Sequence, residues 1–380
     1  MASEMTTRHW TDDWGKNMAL SHCQVCDGNF VVSLNLETDL CPYCGHTVLT
    51  YIDEKADKPA YTHAPEQVLP FSVTADTLQQ KVTQFAKKSW LAPADLTPKN
   101  LQSRLQSLYL PYWLVDASAH AKWQAEVGFD YQIVSHREKY SDNGWQSEKI
   151  KEDKIRWEPR VGTLERRYDN CPAPALEEHG QWRKLLGSFR THAAQSYQAE
   201  TVSDIVIRLP NRPPDDAWPD AEASLKQAAT IEVQQAANAE HIREFRWSAE
   251  YSEQHWTQML LPIFATYYRD DDDVVRMVYV HGQTGALAGH QRASLKKARR
   301  YASLIGIGAA FLFTLSLILA IVGFFESAAL SWASMGFAAA IGLGITAVLP
   351  ILLAYSINKF GLFTDHSQER LQALQEAIGE

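Results

Sequence analysis

Two long stretches without a single charge constrain this chain more than anything else in it. Tyr301 to Phe325 contains no Asp, Glu, Lys or Arg, and neither does Ser327 to Asn358. Within them, Ser303–Phe325 and Met335–Ile357 are almost continuously apolar, each making roughly 35 Å of helix at 1.5 Å per residue, enough for a hydrocarbon core of about 30 Å. A soluble helix of that length keeps a polar face, and none is visible here. The expectation is a transmembrane helical hairpin over 301–358, closed tightly around Glu326; the alternative is a helical hairpin buried in a soluble core.

Charge placement orients the hairpin. Arg292, Lys296, Lys297, Arg299 and Arg300 precede the first span, Lys359 follows the second, and the connecting loop has no basic residue. The positive-inside bias then puts both flanks, and both termini, in the cytoplasm. The N-terminus, Met1 to Trp10, lacks the apolar core of a secretory signal, which agrees. No ionisable residue lies within either span, which argues against a transport path. Small residues recur four apart at Gly306/Ala310, Ala338/Gly342 and Ala340/Gly344. They predict close packing within the hairpin, with homo-oligomerisation or a contact to another membrane protein as the sharper reading. Pro350 is expected to kink the second span.

The strongest chemical signal lies at the other end. Cys23-x-x-Cys26 and Cys41-x-x-Cys44 can each place two thiolates on one tight knuckle, and two knuckles close a tetrahedral cage. Gly28 and Gly45 follow the knuckles, where the backbone turns, and Phe30–Leu36 alternates like a strand between them. The pattern predicts a zinc ribbon over 1–53, with Cys23, Cys26, Cys41 and Cys44 holding a structural Zn²⁺ and iron as the main competitor. Redox disulfides are the alternative, disfavoured in a reducing compartment. His22 and His46 adjoin the cage but are not expected to ligate, since four thiolates complete it. Residues 1–60 carry four basic residues (Arg8, Lys16, Lys55, Lys58) against nine acidic ones (Glu4, Asp12, Asp13, Asp27, Glu37, Asp39, Asp53, Glu54, Asp57), a net of −5. That charge repels a phosphate backbone, so a protein-binding or structural ribbon is favoured over a nucleic-acid-binding one. The whole chain, at −9, is no generally basic nucleic-acid binder either.

Between these ends, 54–67 reads as a polar linker and 68–300 as an α+β body with antiparallel strands. Thr74 caps an expected helix over 75–89 with a Leu78/Val82/Phe85 stripe. Thr97-Pro98 opens a short second helix, with Leu101, Leu105 and Leu108 inward. Strands are expected at 112–131, 155–168 and 204–209, with 135–154 a polar hairpin region. Trp218-Pro219 is read as opening an Ala/Gln-rich helix to about Asn238. Phe245, Trp247, Ala249 and Tyr251 alternate with polar residues as a half-buried strand, and 263–269 with 274–281 form a hairpin around Asp270–Asp273. Leu110-Pro111, Leu261-Pro262 and Leu69-Pro70 echo one another. The tail, 359–380, places Leu371, Leu374 and Ile378 on one helical side.

No catalytic residue is nominated. The chain has no G-x-x-x-x-G-K-[ST], G-x-S-x-G, H-E-x-x-H or G-x-G-x-x-G. Asp270–Asp273 reads as a solvated turn instead of a cation site, and Cys171 as an inert thiol.

Taken in order, the ribbon, "LPFSV", "LYLPYWLVDA", "IRWEPRVGTLERRYDN", "LLPIFATYYR", "VYVHGQTGALAGH" and the apolar hairpin resemble a bacterial family of membrane-anchored, TFIIB-type zinc-ribbon proteins, often labelled primosomal protein N′ or superfamily II helicase-like. Two positions depart from the family pattern: Ile263-Phe264 stand where Val-Trp is usual, and His281 where Asn opens the turn. The resemblance implies the bacterial inner membrane, and a role in membrane organisation or stress beside phage-shock-type or flotillin-like proteins. The helicase label finds no ATPase motif here. The expected function is a non-enzymatic membrane-anchored adaptor. The alternatives are nucleic-acid binding by the ribbon and a hydrolase concealed in the α+β body.

Overall fold

The computed structural model describes residues 13–15, 17–34, 36, 38–52, 61–141, 144–202, 205–325, 327–360 and 362–364. The residues 54–60 of the linker and 365–380 of the tail helix lie outside the described residues. In chain order the elements are β1 (Met18–Cys23), β2 (Gly28–Ser33), β3 (Thr50–Tyr51), β4 (Gln67–Val68), α1 (Ala75–Lys87), α2 (Pro98–Ser103), β5 (Gln106–Ser141), β6 (Gly144–Pro174), α3 (His179–Leu186), β7 (Gln195–Ser196), β8 (Val206–Arg208), α4 (Pro214–Ala236), β9 (His241–Arg269), β10 (Val275–His281), β11 (Leu287–His290), α5 (Leu295–Val322), α6 (Ser327–Thr346), α7 (Leu349–Phe360) and β12 (Leu362–Thr364). The class is α+β with one mixed sheet and two apolar C-terminal helical spans.

One sheet runs β12-β11-β10-β9-β5-β8-β2-β1-β3, and β6 pairs with β5 along the remainder of its edge. The ribbon strands are therefore not a separate head: β2 bonds to β8 (Phe30↔Arg208, Val31↔Ile207), and β8 lies parallel to the start of β5. The echoed Leu-Pro segments meet in this sheet. Leu110 sits opposite Leu261 and Tyr109 opposite Pro262, while Leu69 N–H donates to the Leu260 carbonyl at 2.9 Å.

The strands are longer than their composition predicts. The expected polar hairpin region at 135–154 is itself strand: β5 and β6 pair without interruption from Tyr131↔Lys154 to Ser141↔Gly144. Alternating polar residues satisfy a ribbon exposed on both faces as well as they satisfy a loop, so polarity misleads there. β9 joins the ribbon as a third strand as far as Gly128↔His241, with Phe245, Trp247, Ala249 and Tyr251 half-buried as expected. Helix α4 covers this three-stranded arm through Ala217, Ala221, Leu225, Ala229 and Val233, one per turn, against Ala117, Ala119 and Trp113. Alanine facing alanine lets the helix lie close to the sheet. The helix opens at Pro214, not Trp218; Pro219 lies inside it. It forgoes one internal hydrogen bond there, while Asp215 and Asp216 complement the N-terminal dipole.

The capping expectations hold. Thr74 and Thr97 accept from Thr77 N and Asn100 N, and Leu78, Val82, Phe85 and Leu101 are buried. Leu108 belongs instead to β5.

Leu295–Val322 and Ala329–Lys359 are long and apolar enough to cross a membrane, and only 11% and 17% of their most apolar windows are buried inside the protein. Most of their apolar surface is not covered by the rest of this chain. The second breaks at residues 347–348, and Pro350 lies in the first turn of α7. The hairpin packs through Gly336 against Ser316, Gly308 against Leu343 and Phe313 against Phe337. Of the residues spaced four apart, Ala340 is buried, but a Cβ on Gly306, Gly342 or Gly344 would meet nothing within 4 Å. Spacing identified small residues but not which face they occupy.

Both ends of the hairpin return to one body. Ser294 caps α5 and accepts from Lys297 N; after α7 the chain re-enters the sheet as β12, antiparallel to β11. Asp271 accepts from Ser294 Oγ at 2.9 Å and Lys296 N at 3.0 Å. Asp270 accepts from Asp272 N, Val274 N and Arg276. The aspartate run is thus a structured clamp on the start of α5, not a merely solvated turn.

Candidate metal centre

Cys23 closes β1, Cys26 lies in the turn into β2, and Cys41 and Cys44 sit in a second turn, where Cys41 N donates to the Thr47 carbonyl at 2.6 Å and Gly45 N to the Cys41 carbonyl at 2.8 Å. The four sulfurs lie within 4.8 Å of one another, with Cys23 and Cys44 Sγ 3.6 Å apart. That is near the edge of about 3.8 Å for a tetrahedron centred about 2.3 Å from each sulfur, and far beyond a disulfide bond. All four thiols are free. Hydrogen bonding from Cys26 and Cys44, with burial, holds the Cys41 thiol far above its ordinary range. Four sulfurs this close, two of them buried, cannot all ionise side by side unless a cation stands among them. The arrangement can hold a metal ion, and the four cysteines named from spacing are the ones brought together.

The neighbouring histidines are engaged elsewhere. His22 Nδ1 is 3.0 Å from Asn29 Oδ1, and His46 Nδ1 is 2.8 Å from the Cys44 carbonyl. Gly45 adopts φ +75°, and a Cβ there would collide with Met277 of β10. Gly28 serves differently. The left-handed residue of the first turn is Asp27, and Gly28 is small because the Arg208 guanidinium lies 2.6 Å from where its Cβ would be.

Arg208 is the residue the sequence did not single out. It is only 2% exposed. Its guanidinium carbon lies 5.1 Å from the Phe30 ring and 5.2 Å from the Tyr43 ring, and Nη1 donates to the Asn29 carbonyl at 3.1 Å. Trp182 Nε1 donates to Tyr43 Oη at 3.1 Å, and Tyr279 Oη to the Tyr43 carbonyl at 2.7 Å. The knuckle bearing Cys41 and Cys44 is thereby fixed to α3, β8 and β10. No periodicity announces this contact; an isolated Arg208 beside Leu209 and Pro210 reads as surface.

Cys171 is buried in the arm core, and burial, with Asp116 and Asp169, pushes its thiol up to about 11, as an inert thiol requires. A separate cavity of about 210 Å³ lies between Tyr112, His179, Arg183 and Phe189. Burial, with the Arg183 charge, lowers His179 to about 4. Its lining includes no carboxylate among the described residues.

No protein-family model, curated protein or solved structure matches the chain, so the family resemblance stands on the quoted motifs alone.

Proposed function

We propose that this chain is a non-enzymatic, membrane-anchored adaptor of the bacterial inner membrane, with both termini cytoplasmic and a structural Zn²⁺ in the four-cysteine cage. The observation that carries the reading is the pairing of outward-facing apolar helices with a long arm at the other end of the same strand. β5 starts opposite Ala265 of β9, the strand that runs on to the Asp270–Asp273 turn, and ends at Ser141, a contour of about 120 Å at 3.3 Å per residue. Its tip carries Tyr140 and Trp145, directly paired, 69% and 72% exposed, with ring centroids 5.4 Å apart. Exposed paired aromatics are protein-docking features. Membrane-associated proteins, of the phage-shock or flotillin-like kind that the resemblance implies, are the proposed partners.

Zinc fits a closed S4 cage with no open coordination position, where the ion staples the ribbon and performs no chemistry. Elemental analysis of the purified chain is expected to find one zinc per molecule; stoichiometric iron overturns that choice. The adaptor reading is tested by fractionation and gentle-detergent pull-down. The wild-type chain should resist alkaline carbonate extraction and retain specific membrane proteins, and Y140A/W145A should stay in the membrane but lose them. Release by carbonate, or unchanged capture by the tip variant, sinks the reading.

A further inference from the structure

Where the body meets the hairpin, a cavity of about 240 Å³ opens between β10, the segment leading into α5 and the end of α7. Four basic side chains line it: Arg276, Arg292, Lys296 and Arg299. Three aspartates line it too, but two are committed. Asp270 is held by Arg276 at 2.7 Å and by two backbone N–H groups, and Asp271 accepts from the first turn of α5. Asp272 is exposed. Arg276 is neutralised by its own partner. Arg292, Lys296 and Arg299 have no carboxylate partner among the described residues. Arg292 donates through Nη1 to the Asn358 carbonyl at 2.9 Å, and its Nε is buried without a partner. The lining thus keeps an excess of positive charge, four cations against three carboxylates, with Arg292 only partly exposed.

The height of this cavity along the hairpin selects its ligand. Trp90 packs against Tyr301 in a tilted pair, ring centroids 5.0 Å apart, just beyond it, both exposed, and Tyr355 is exposed on α7 at the same end. Phe324, Phe325 and Trp332 are exposed at the far end of the hairpin. Trp and Tyr favour the level where headgroups meet hydrocarbon. If the hairpin spans a bilayer, as the reading above has it, the cavity opens among the headgroup phosphates.

We propose that this cavity binds the phosphate of an anionic phospholipid headgroup. Arg292 and Arg299 present forked donors suited to a phosphodiester, and Lys296 adds a point charge. The site sets lipid preference at the collar of the anchor and is independent of the metal centre.

The test uses the full chain in vesicles of phosphatidylcholine alone or mixed with phosphatidylglycerol, followed by gentle solubilisation and native mass spectrometry of retained lipid. The wild-type chain should retain phosphatidylglycerol well above its share of the vesicle. R299Q, on an exposed side chain, should reduce that enrichment about fivefold, the effect of about one interfacial charge, and R292Q/R299Q should abolish it. Millimolar inorganic phosphate should leave it unchanged; displacement by phosphate assigns the site to a free anion and overturns the lipid. Flotation separates the two readings. A wild-type chain that does not float with vesicles sinks the anchor, whereas one that floats without phosphatidylglycerol enrichment, or whose enrichment survives R292Q/R299Q, sinks this proposal alone.

Discussion

Asn358, at the end of the second apolar span, exchanges two hydrogen bonds with the backbone of Ala293, just ahead of the first: Ala293 N donates to Asn358 Oδ1 at 2.8 Å, and Asn358 Nδ2 donates to the Ala293 carbonyl at 3.1 Å. One amide thus ties the chain entering the hairpin to the chain leaving it, beside the small buried cluster of Leu91, Ala293, Ala298 and Ala354. N358A leaves two partly buried backbone groups without that partner, at a cost of about 1–3 kcal/mol. Trypsin should cleave the solubilised full chain faster in the Arg292–Arg300 segment in N358A than in wild type, with the metal content unchanged. Equal cleavage rates contradict the tie.

Loss of one sulfur from the cage should be felt across the sheet, because β2 is bonded to β8. C41S is expected to lose most bound metal, measured by elemental analysis. It should also expose the Tyr43–Trp182 contact, now 5.3 Å between ring centroids, read as a shift in tryptophan emission. Retention of a full complement of metal argues against four-sulfur ligation.

Arg208 fills space and satisfies a carbonyl, with no carboxylate partner among the described residues. R208A should destabilise the chain by about 2–4 kcal/mol through cavity formation and the lost hydrogen bond. R208M, which keeps the stem between Phe30 and Tyr43, should cost less than half of that. Equal losses in denaturant titrations would place the stabilisation in the charge instead of in the packing.

Gly162 is a position of the arm with no room for a side chain. A Cβ on Gly162 would lie 2.8 Å from Cζ2 of Trp123, whose ring stacks on Phe245 at 6.2 Å. G162V should displace the indole and lower stability by about 1–3 kcal/mol, visible as a lower melting temperature and a changed near-ultraviolet dichroism. G180V, where a Cβ meets nothing within 4 Å, serves as the control.

Beside His179, which burial lowers to about the same value, His281 supplies one share of the pH dependence. Its Nδ1 accepts from Gln283 N at 3.0 Å and Thr284 N at 3.4 Å, and Nε2 donates to the Ser188 carbonyl at 3.2 Å, so the ring is neutral with its proton on Nε2. Burial, with the charge of Arg190, lowers its pKa to about 4. Between the ordinary value of 6.5 and about 4, the unfolded chain takes up a proton that the folded chain refuses, so stability falls as pH falls through that window. H281N supplies an acceptor to the same two amides in an Asx-type turn and should flatten this part of the melting-temperature profile. An unchanged profile in H281N refutes the assignment.

Much of the architecture was legible from residue pattern alone, and for local reasons. A cage of thiolates needs two C-x-x-C knuckles, a membrane span needs a charge-free run of a certain length, and a helix start needs a capping Thr beside an apolar stripe. Each requirement concerns residues near one another in the chain, so spacing reports it. The four cysteines, the two apolar helices, the Thr74 and Thr97 caps and the half-buried Phe245–Tyr251 strand all belong to this group.

What pattern could not reach depends on residues far apart in sequence. The ribbon's union with the body rests on Arg208 lying over Tyr43 and Phe30. The clamp on the hairpin rests on Asp271 meeting Ser294 and Asn358 meeting Ala293. The outward faces of Gly306, Gly342 and Gly344 depend on how α5 turns against α6. The extent of the arm was misjudged because a ribbon solvated on both sides has the polar composition of a loop, and only pairing across the sheet distinguishes them. These contacts form once the chain has folded back on itself, and the side chains that make them carry no periodic signature beforehand.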